Sequence, residues 1–337
     1  MTEQIRTTAP GRVVLIGDHT DYMGGLVLPM AIDLYTEVIG ERGGPQVSLT
    51  SEHFGDSVAL DLPVEHPERT QPEWGRYVAG VVAEFALPVG LTGVIRSTVP
   101  AGGGLSSSAA LELAVALAIS DLDDPLTLAR RCQSAEQVAT GVPCGIMDQL
   151  CSAAGVEGHA LLIDCATTEI TPVPIPDHLA VWVVDSGEPR RLAESGYATL
   201  RAEAEAAAAL VGPLPAADYD AIVDLADDTL RRRARHVRSE CERVLRFAEA
   251  LTADDLTAAG ELVTASHRSL RDDAQVSTPA LDALVEALTA TPGVLGARLT
   301  GAGFGGSVVA LASAGVDLAS AGAGARRVRA SGGAQRY

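Results

Sequence analysis

One segment combines the residue types that bind phosphate: glycines that free the backbone and serines that donate hydroxyl groups. It consists of Gly102, Gly103, Gly104, Leu105, Ser106, Ser107 and Ser108. The segment lies between a predicted strand at Gly93–Val99 and a predicted helix at Ser106–Ser120. Glycines let the backbone approach a ligand closely, and the free N–H groups and dipole at a helix start attract an anion. Since serines also cap helices, we expect a phosphate loop here that works without lysine.

A second segment, Gly145–Gln149, supplies carboxylate chemistry. It leads into a predicted helix that begins at Met147, and Asp148 follows Glu136 of the preceding predicted helix. A carboxylate near a phosphate site can hold Mg²⁺ or accept a proton from a hydroxyl, so the sequence offers one candidate for each task. Taken alone, an aspartate at a helix start is also a common cap, and that alternative stays open.

Two further segments carry polar or glycine-rich loops. In Gly11–Gly25 a predicted strand delivers Asp18, His19 and Asp21, whose side chains match the hydroxyl groups of a sugar. A zinc site there is disfavoured because His19 has no partner at metal-ligand spacing. The fourth segment, Leu299–Ser307, is a glycine hairpin and by itself a weak signal. Its glycines include Gly301, Gly303 and Gly305.

Composition excludes several classes of mechanism. The chain has 337 residues, and all 25 of its basic residues are arginines. A Walker-A loop, a protein-kinase site, Schiff-base chemistry and pyridoxal chemistry all need a lysine, so none is available. The 44 acidic residues give a net charge of −19, which argues against binding to nucleic acid or to an anionic membrane.

The same composition favours a cytoplasmic protein. Met1–Pro10 shows no apolar core of a signal peptide, and no apolar run reaches the roughly 20 residues of a membrane span. The five cysteines are odd in number and lack CxxC spacing, so we expect reduced thiols that pack in the core.

The elements that must position these segments alternate between short β-rich runs and Ala/Leu-rich helical runs, which predicts an α/β or α+β protein. Further predicted helices cover Pro125–Thr140 and about 190–210, 221–250, 254–267 and 278–288, and predicted strands cover 160–164, 180–185 and a strand–loop–strand unit at 294–312. The proline-rich stretch Thr171–Pro176 is the predicted domain junction, and the end from Ser313 onward is predicted to be partly a loose tail. The arginine cluster at 231–238 is interpreted as a solvated helix face rather than an anion site.

In this order the four segments resemble the motifs of the GHMP small-molecule kinases, in particular their galactokinase branch. The matching patterns are GRVxLIGxHTDYxGG, GGGLSSSAALE, CGIMDQ and TGAGFGG. Trp74–Val81, Arg233–Val237 and Ala265–Asp273 are also similar to that branch, so the resemblance covers almost the whole chain. It implies an α+β fold, with an α/β N-terminal domain like ribosomal protein S5 domain 2 at 1–175 and a C-terminal GHMP-kinase α+β domain at 176–337.

The resemblance implies transfer of the ATP γ-phosphoryl group to the anomeric hydroxyl of D-galactose, giving galactose 1-phosphate and ADP, with Mg²⁺ as the metal. By resemblance, Asp148 is the base and Arg12 its partner, while Ser108 and Glu136 are metal ligands. Gly102–Ser108 bind the ATP phosphates, and the third motif braces the site. The sugar contacts are Asp18, His19, Asp21 and Tyr197. The implied partners are a small sugar and ATP, with no nucleic acid and no membrane, in a monomer or weak homodimer.

Several departures from the family pattern leave the exact sugar open. Asp18 stands where a glutamate is usual, Met23 where an asparagine is usual and Ser307 where a cysteine is common. The stretch Glu188–Tyr197 alters a usual basic–histidine pattern but keeps the tyrosine. An anomeric kinase for another galacto-configured sugar, modified at C6, extended beyond it or N-acetylated, is therefore the first alternative.

A non-catalytic sugar sensor is the second alternative. Sensors that resemble galactokinases lack residues of the serine-rich motif, whereas Ser106–Ala110 and Asp148 are all present here. Intact catalytic groups favour an enzyme over a sensor.

Overall fold

The computed structural model of the chain describes residues 3–86, 88–188, 193–322 and 324–337, apart from the side chains of residues 193–195. The strands are β1 (Glu3–Ile16), β2 (Leu26–Arg42), β3 (Gln46–Ser51), β4 (Ser57–Asp61), β5 (Leu91–Ser97), β6 (His159–Asp164), β7 (Glu169–Pro174), β8 (Leu179–Asp185), β9 (Val294–Thr300), β10 (Ser307–Ser313), β11 (Arg326–Val328) and β12 (Gln335–Arg336). The helices are α1 (Gly75–Phe85), α2 (Ser107–Ile119), α3 (Pro125–Thr140), α4 (Met147–Ala154), α5 (Ala193–Val211), α6 (Tyr219–Val223), α7 (Asp228–Thr252), α8 (Leu256–Ser269) and α9 (Pro279–Thr289).

The larger sheet has the strand order β12-β1-β2-β5-β3-β4, and the β6–β7 hairpin pairs with β2. Its neighbours are antiparallel except for the parallel pair β3–β5. Helices α1 to α4 share one hydrophobic core with this sheet. Helix α2 is central to that core, because every residue from Ala109 to Ile119 is buried. The glycine–serine segment that precedes α2 is therefore anchored to the interior of the molecule.

The smaller sheet is antiparallel with the order β11-β8-β10-β9. Alternation along β10 sends Val308 and Ala310 into a core that includes α9, and Val309 and Leu311 into a second core. That second core also holds Val13 and other residues of β1 and β2, together with residues of α7 and α8. The two sheets are thus joined by a shared apolar interior.

The α+β fold class is confirmed, and so are several element bounds. Helix α3 spans Pro125–Thr140 and α4 begins at Met147, as predicted. The division into domains at 175 and 176 stays a prediction. No helix in the described part of the chain is long and apolar enough to cross a membrane.

Most of the proline-rich stretch Thr171–Pro176 is strand β7, which pairs with β6 and tolerates proline at the sheet edge, and its place as a domain junction stays a prediction. Two expectations are wrong in part. The end beyond Ser313 is not a loose tail, since β11 pairs with β8 and β12 pairs with β1. Within the arginine cluster Arg233 is buried, and its Nε lies 2.7 Å from Glu203 Oε2.

Candidate active site

An ion pair between Asp148 and Arg12 lies at the centre of the site. Asp148 is in the first turn of α4, and Arg12 projects from β1. Arg12 Nε donates to Asp148 Oδ1 at 2.8 Å, and Arg12 Nη2 donates to Oδ2 at 2.6 Å. Burial by itself would lower the Arg12 pKa, but the carboxylates of Asp148 and Asp18 outweigh it and raise that pKa. The bidentate pair holds the Asp148 carboxylate in one orientation while 29% of its side chain stays exposed.

The glycine–serine loop is attached directly to this pair. Arg12 Nη1 donates to Gly104 O at 2.6 Å, and the Arg12 backbone N–H donates to Leu105 O at 3.0 Å. The expected capping by Ser106 is wrong, because its hydroxyl donates to Asp148 Oδ2 instead. Ser106 adopts φ of +53°, a left-handed conformation that is uncommon outside glycine. The loop therefore leads into the N-terminus of α2, and its Ser106 also donates a hydrogen bond to Asp148.

The two predicted metal ligands meet across α2 and α3. The Ser108 hydroxyl is hydrogen-bonded to the Glu136 carboxylate. Burial raises the Glu136 pKa, as does the negative charge of Asp148, against the hydrogen bonds from Gln149, Ser108 and Cys144. A hydroxyl and a carboxylate with uncompensated negative charge fit Mg²⁺, which prefers oxygen ligands and usually completes its shell with phosphate and water. In residues 3–86, 88–188, 193–322 and 324–337 no group of three or more His, Cys, Asp or Glu side chains is placed to hold a metal by itself.

A cavity of about 210 Å³ opens in front of Asp148. It is smaller than the roughly 300–1,000 Å³ of sites for drug-sized ligands, which suits a small polar molecule. Its lining includes Arg12, Asp18, His19, Asp21, Glu136, Asp148, Tyr197 and Gly301. The structure thus brings the four predicted sugar residues together with the predicted base and its arginine.

The Asp18 carboxylate already accepts hydrogen bonds from the protein, so it is less free to bind a sugar than an unpaired carboxylate would be. Its carboxylate accepts from Arg298 Nη2 through Oδ2, and from the Gly301 N–H through Oδ1 at 3.1 Å. Burial raises the Asp18 pKa to about 6, although Arg298 and Arg12 oppose the shift. Asp18 therefore joins the sugar loop to the third motif, and its contact with a sugar stays a prediction.

The other three predicted sugar contacts, His19, Asp21 and Tyr197, lie together and are largely buried. Burial, and secondarily the neighbouring His236, lowers the His19 pKa to about 3, so the ring is uncharged at neutral pH. Its Nε2 lies 3.2 Å from Ala302 O. Burial and the charge of Asp148 raise the Asp21 pKa to about 7. The Tyr197 ring lies 5.8 Å from the His19 ring, centre to centre. Such a set can offer both donors and acceptors to sugar hydroxyls.

The third motif contacts the glycine–serine loop through Ser307, a residue to which the sequence patterns assign no such task. The Ser307 hydroxyl donates to Gly103 O at 2.6 Å. Glycine is required within the motif at Gly303, where φ is +75° and a Cβ would lie 2.4 Å from Val276 O. Gly301 and Gly305 also have positive φ.

Sequence patterns assign no role to Arg298 or Glu240, and none to Gln149 although it lies within the Gly145–Gln149 segment. A signal existed for Arg298, since an arginine in the otherwise apolar strand β9 is rarely buried without a partner. The altered stretch Glu188–Tyr197 lies only partly within the described residues, because 189–192 fall outside them.

Comparison with known proteins agrees with the family resemblance of the sequence motifs. Residues 2–42 match the galactokinase galactose-binding signature, 76–156 the GHMP kinases N terminal domain and 247–333 the GHMP kinases C terminal domain. The galactokinase of Homo sapiens is 45% identical over 330 residues, which cover 92% of this chain and 84% of the relative. The galactokinase of Chloroflexus aurantiacus is 46% identical over 326 residues, 91% of this chain and 83% of the relative.

Solved structures agree. Lactococcus lactis galactokinase complexed with galactose has a TM-score of 0.90 at 32% identity, covering 99% of this chain and 95% of that one. The Methanococcus jannaschii mevalonate kinase has a TM-score of 0.72 at 20% identity, over 98% of this chain and 99% of that one, and shares the fold alone.

Proposed function

This chain belongs to the galactokinase family of the GHMP kinases, and on that premise we propose that it transfers the γ-phosphoryl group of ATP to the anomeric hydroxyl of D-galactose, giving galactose 1-phosphate and ADP. The observation that carries the proposal is the bidentate Asp148–Arg12 pair, facing the cavity that Asp18, His19 and Tyr197 line. Phosphoryl transfer needs positioning and charge neutralisation more than covalent chemistry, and this site supplies both.

Asp148 is the base that receives the proton of the anomeric hydroxyl. Among the described residues, Oδ2 accepts from Arg12 and Ser106, whereas Oδ1 accepts from Arg12 alone. A carboxylate oxygen has two lone pairs, so Oδ1 keeps one for the sugar. Arg12 holds the carboxylate in position before the reaction and offsets the charge that develops during it.

ATP binds with its phosphates at Gly102–Ser108 and the N-terminus of α2. Ser108 and Glu136 hold Mg²⁺, which when bound neutralises charge on the phosphates. Asp18, His19, Asp21 and Tyr197 orient the sugar, and the glycines Gly301, Gly303 and Gly305 brace the loop from the smaller sheet.

We place the enzyme in the cytoplasm, as a monomer or weak homodimer. Burial of Cys132, Cys151 and Cys241 supports reduced cysteines that act in packing.

The deciding experiment is ADP release with Mg-ATP across a panel of free sugars. The panel holds galactose, 2-deoxygalactose, galactosamine, N-acetylgalactosamine, glucose, fucose, galacturonate and arabinose. We expect galactose to give the highest kcat/KM. A C6-altered or N-acetylated sugar in first place would keep the mechanism and change the substrate, and ATP binding with no ADP release from any sugar would favour the sensor.

Asp148→Asn tests the base directly. The substitution keeps the shape but removes the proton acceptor, so kcat should fall by about 10²–10⁴-fold while ATP binding stays within about twofold. Asp123→Asn, at an exposed position between α2 and α3, is the control and should behave like the wild type. Wild-type turnover in Asp148→Asn would remove this carboxylate from the mechanism.

A further inference from the structure

Behind the predicted metal ligands, three helices contribute polar side chains to one buried cluster. Gln149 of α4 lies between Glu112 of α2 and Glu136 of α3. Its Nε2 donates to Glu112 Oε2 at 3.0 Å and to Glu136 Oε2 at 2.5 Å. Gln149 and Glu112 are fully buried. An amide nitrogen has two hydrogens, so each of them serves one carboxylate.

A cluster with only a structural role would not be expected to leave buried polar atoms without hydrogen-bond partners. Glu112 Oε1 and Gln149 Oε1 are buried, and neither has a hydrogen-bond partner among the residues that the structure describes. A buried polar atom without a partner is unfavourable because it has lost its hydrogen bonds to water, and apolar side chains would pack three helices together without that loss. A buried polar network with unpaired atoms therefore points to a function. Of its three residues, Glu136 is the one that lines the cavity.

We propose that Gln149 is a positioning residue, which presets the Glu136 carboxylate for Mg²⁺ by linking it to Glu112. The inference rests on the proposed function, since it assigns a support to the proposed metal ligand. Partners behind a ligand fix its orientation before the metal arrives, so less side-chain freedom is lost on binding. Glu112 in turn anchors Gln149 from the centre of α2, the helix that also carries Ser108.

The test measures the Kd for ATP in EDTA and in saturating Mg²⁺, and the ratio of the two is the Mg²⁺ gain. Gln149→Met keeps the side-chain volume but removes both donors. We expect its Kd for ATP in EDTA to stay within about twofold of the wild type and its Mg²⁺ gain to fall by about 10–100-fold. Gln133→Met is the matched control, because the Gln133 amide donates to Cys144 O at 3.0 Å and to neither carboxylate.

A purely structural role for Gln149 predicts a different result. Gln149→Met would then lower the melting temperature and weaken ATP binding in EDTA, with the Mg²⁺ gain unchanged, and this result overturns the inference. A second pair covers the case in which that variant does not fold. Glu112→Gln keeps an oxygen for Gln149 and should retain the Mg²⁺ gain, whereas Glu112→Leu removes the anchor and should reduce it. Equal gains in the two Glu112 variants overturn the inference as well.

The wild type separates failure of the inference from failure of the proposed function. No Mg²⁺ gain in the wild type overturns both the metal site and the role of Gln149. A normal gain that Gln149→Met leaves intact overturns the role of Gln149 alone. Galactose-dependent ADP release tests the reaction itself, independently of this comparison.

Discussion

Arg298 pairs with Asp18, which lies 280 positions earlier in the chain, and opposes the rise that burial causes in the Asp18 pKa. Arg298 is fully buried, and within the described residues its Nε and Nη1 find no hydrogen-bond partner, so Asp18 is its principal contact. Removing one partner of a buried pair leaves an uncompensated charge. We expect Arg298→Met to lower the free energy of unfolding by about 3–5 kcal/mol at pH 8 and to raise the KM for galactose while leaving the KM for ATP unchanged.

The sign of the pH effect follows from the Asp18 pKa. That pKa is already raised to about 6 by burial, and loss of Arg298 raises it further. The additional destabilisation therefore develops as pH rises above about 6 and is smaller at pH 5, where Asp18 is protonated with or without the arginine. Urea denaturation at pH 5 and pH 8 measures this, with the exposed Arg268→Met as control. Equal losses at both values would contradict an ionic role for Arg298.

At the residue scale the sequence identifies the residues of the motifs, but it does not identify the residues that bond to them and hold them in place. Asp148 follows from a short pattern and from the family resemblance, Arg12 from the resemblance alone, and the structure places the two in contact. Arg298 and Ser307 bond to residues 280 and 204 positions away, so only the folded chain reveals their partners. Ser106 illustrates the same limit, because a capping pattern predicted its position but not its bond to Asp148.

At the element scale, Glu240 joins helix α7 to Gly17, the residue that directly follows the strand carrying Arg12. Its Oε1 accepts from the Gly17 N–H at 3.0 Å and from the Ser266 hydroxyl, and its Oε2 accepts from Arg243 Nε at 2.7 Å. Burial by itself would raise the Glu240 pKa, but Arg243, Arg298 and the other partners lower it from 4.5 to about 2. The ionised carboxylate thus stabilises the fold.

Glu240→Gln should therefore destabilise the protein in a pH-dependent way. The lowered pKa corresponds to roughly 3 kcal/mol, present in full above about pH 4.5 and lost as pH falls through the folded pKa near 2. The difference from the wild type should be about 3 kcal/mol at pH 7 and about 1 kcal/mol at pH 3, by urea denaturation. Glu249→Gln, at an exposed position of α7, is the control. A difference independent of pH would refute this account.

Elements with local signals could be predicted almost to the residue. Helix α3 begins with Pro125 behind Asp124, whose side chain accepts from the Thr127 N–H at 2.8 Å, and it ends at Gly141 with φ of +74°. The end of the chain lacks such signals, because β11 and β12 are only three and two residues long. Their strand character comes from pairing with β8 and β1, which composition alone does not reveal.

At the scale of the whole molecule, the last strand pairs with the first strand. Strand β12 pairs with β1 through Thr7 and Arg336, next to the helix whose opposite end forms the phosphate loop. Arg336 Nη2 donates to Leu117 O at 2.7 Å and also to Ser120 O, at the C-terminus of α2. A cation and hydrogen-bond donor is favourable there, because the last carbonyls of a helix lack partners within it.

We therefore expect Arg336→Ala to lower the free energy of unfolding by about 1–3 kcal/mol, since it leaves helix-terminal carbonyls without their donor. Its contact with Asp121 is exposed and contributes little. Arg336→Lys should recover only part of the loss, because an ammonium cannot reproduce the planar fork. The control is Arg327→Ala, whose Nη1 lies 3.4 Å from Ala314 O at an exposed position, with an expected change within ±0.5 kcal/mol. Urea denaturation of the three variants measures these values, and equal stability of Arg336→Ala and Arg327→Ala would show that the closure of the chain on α2 does not stabilise the fold.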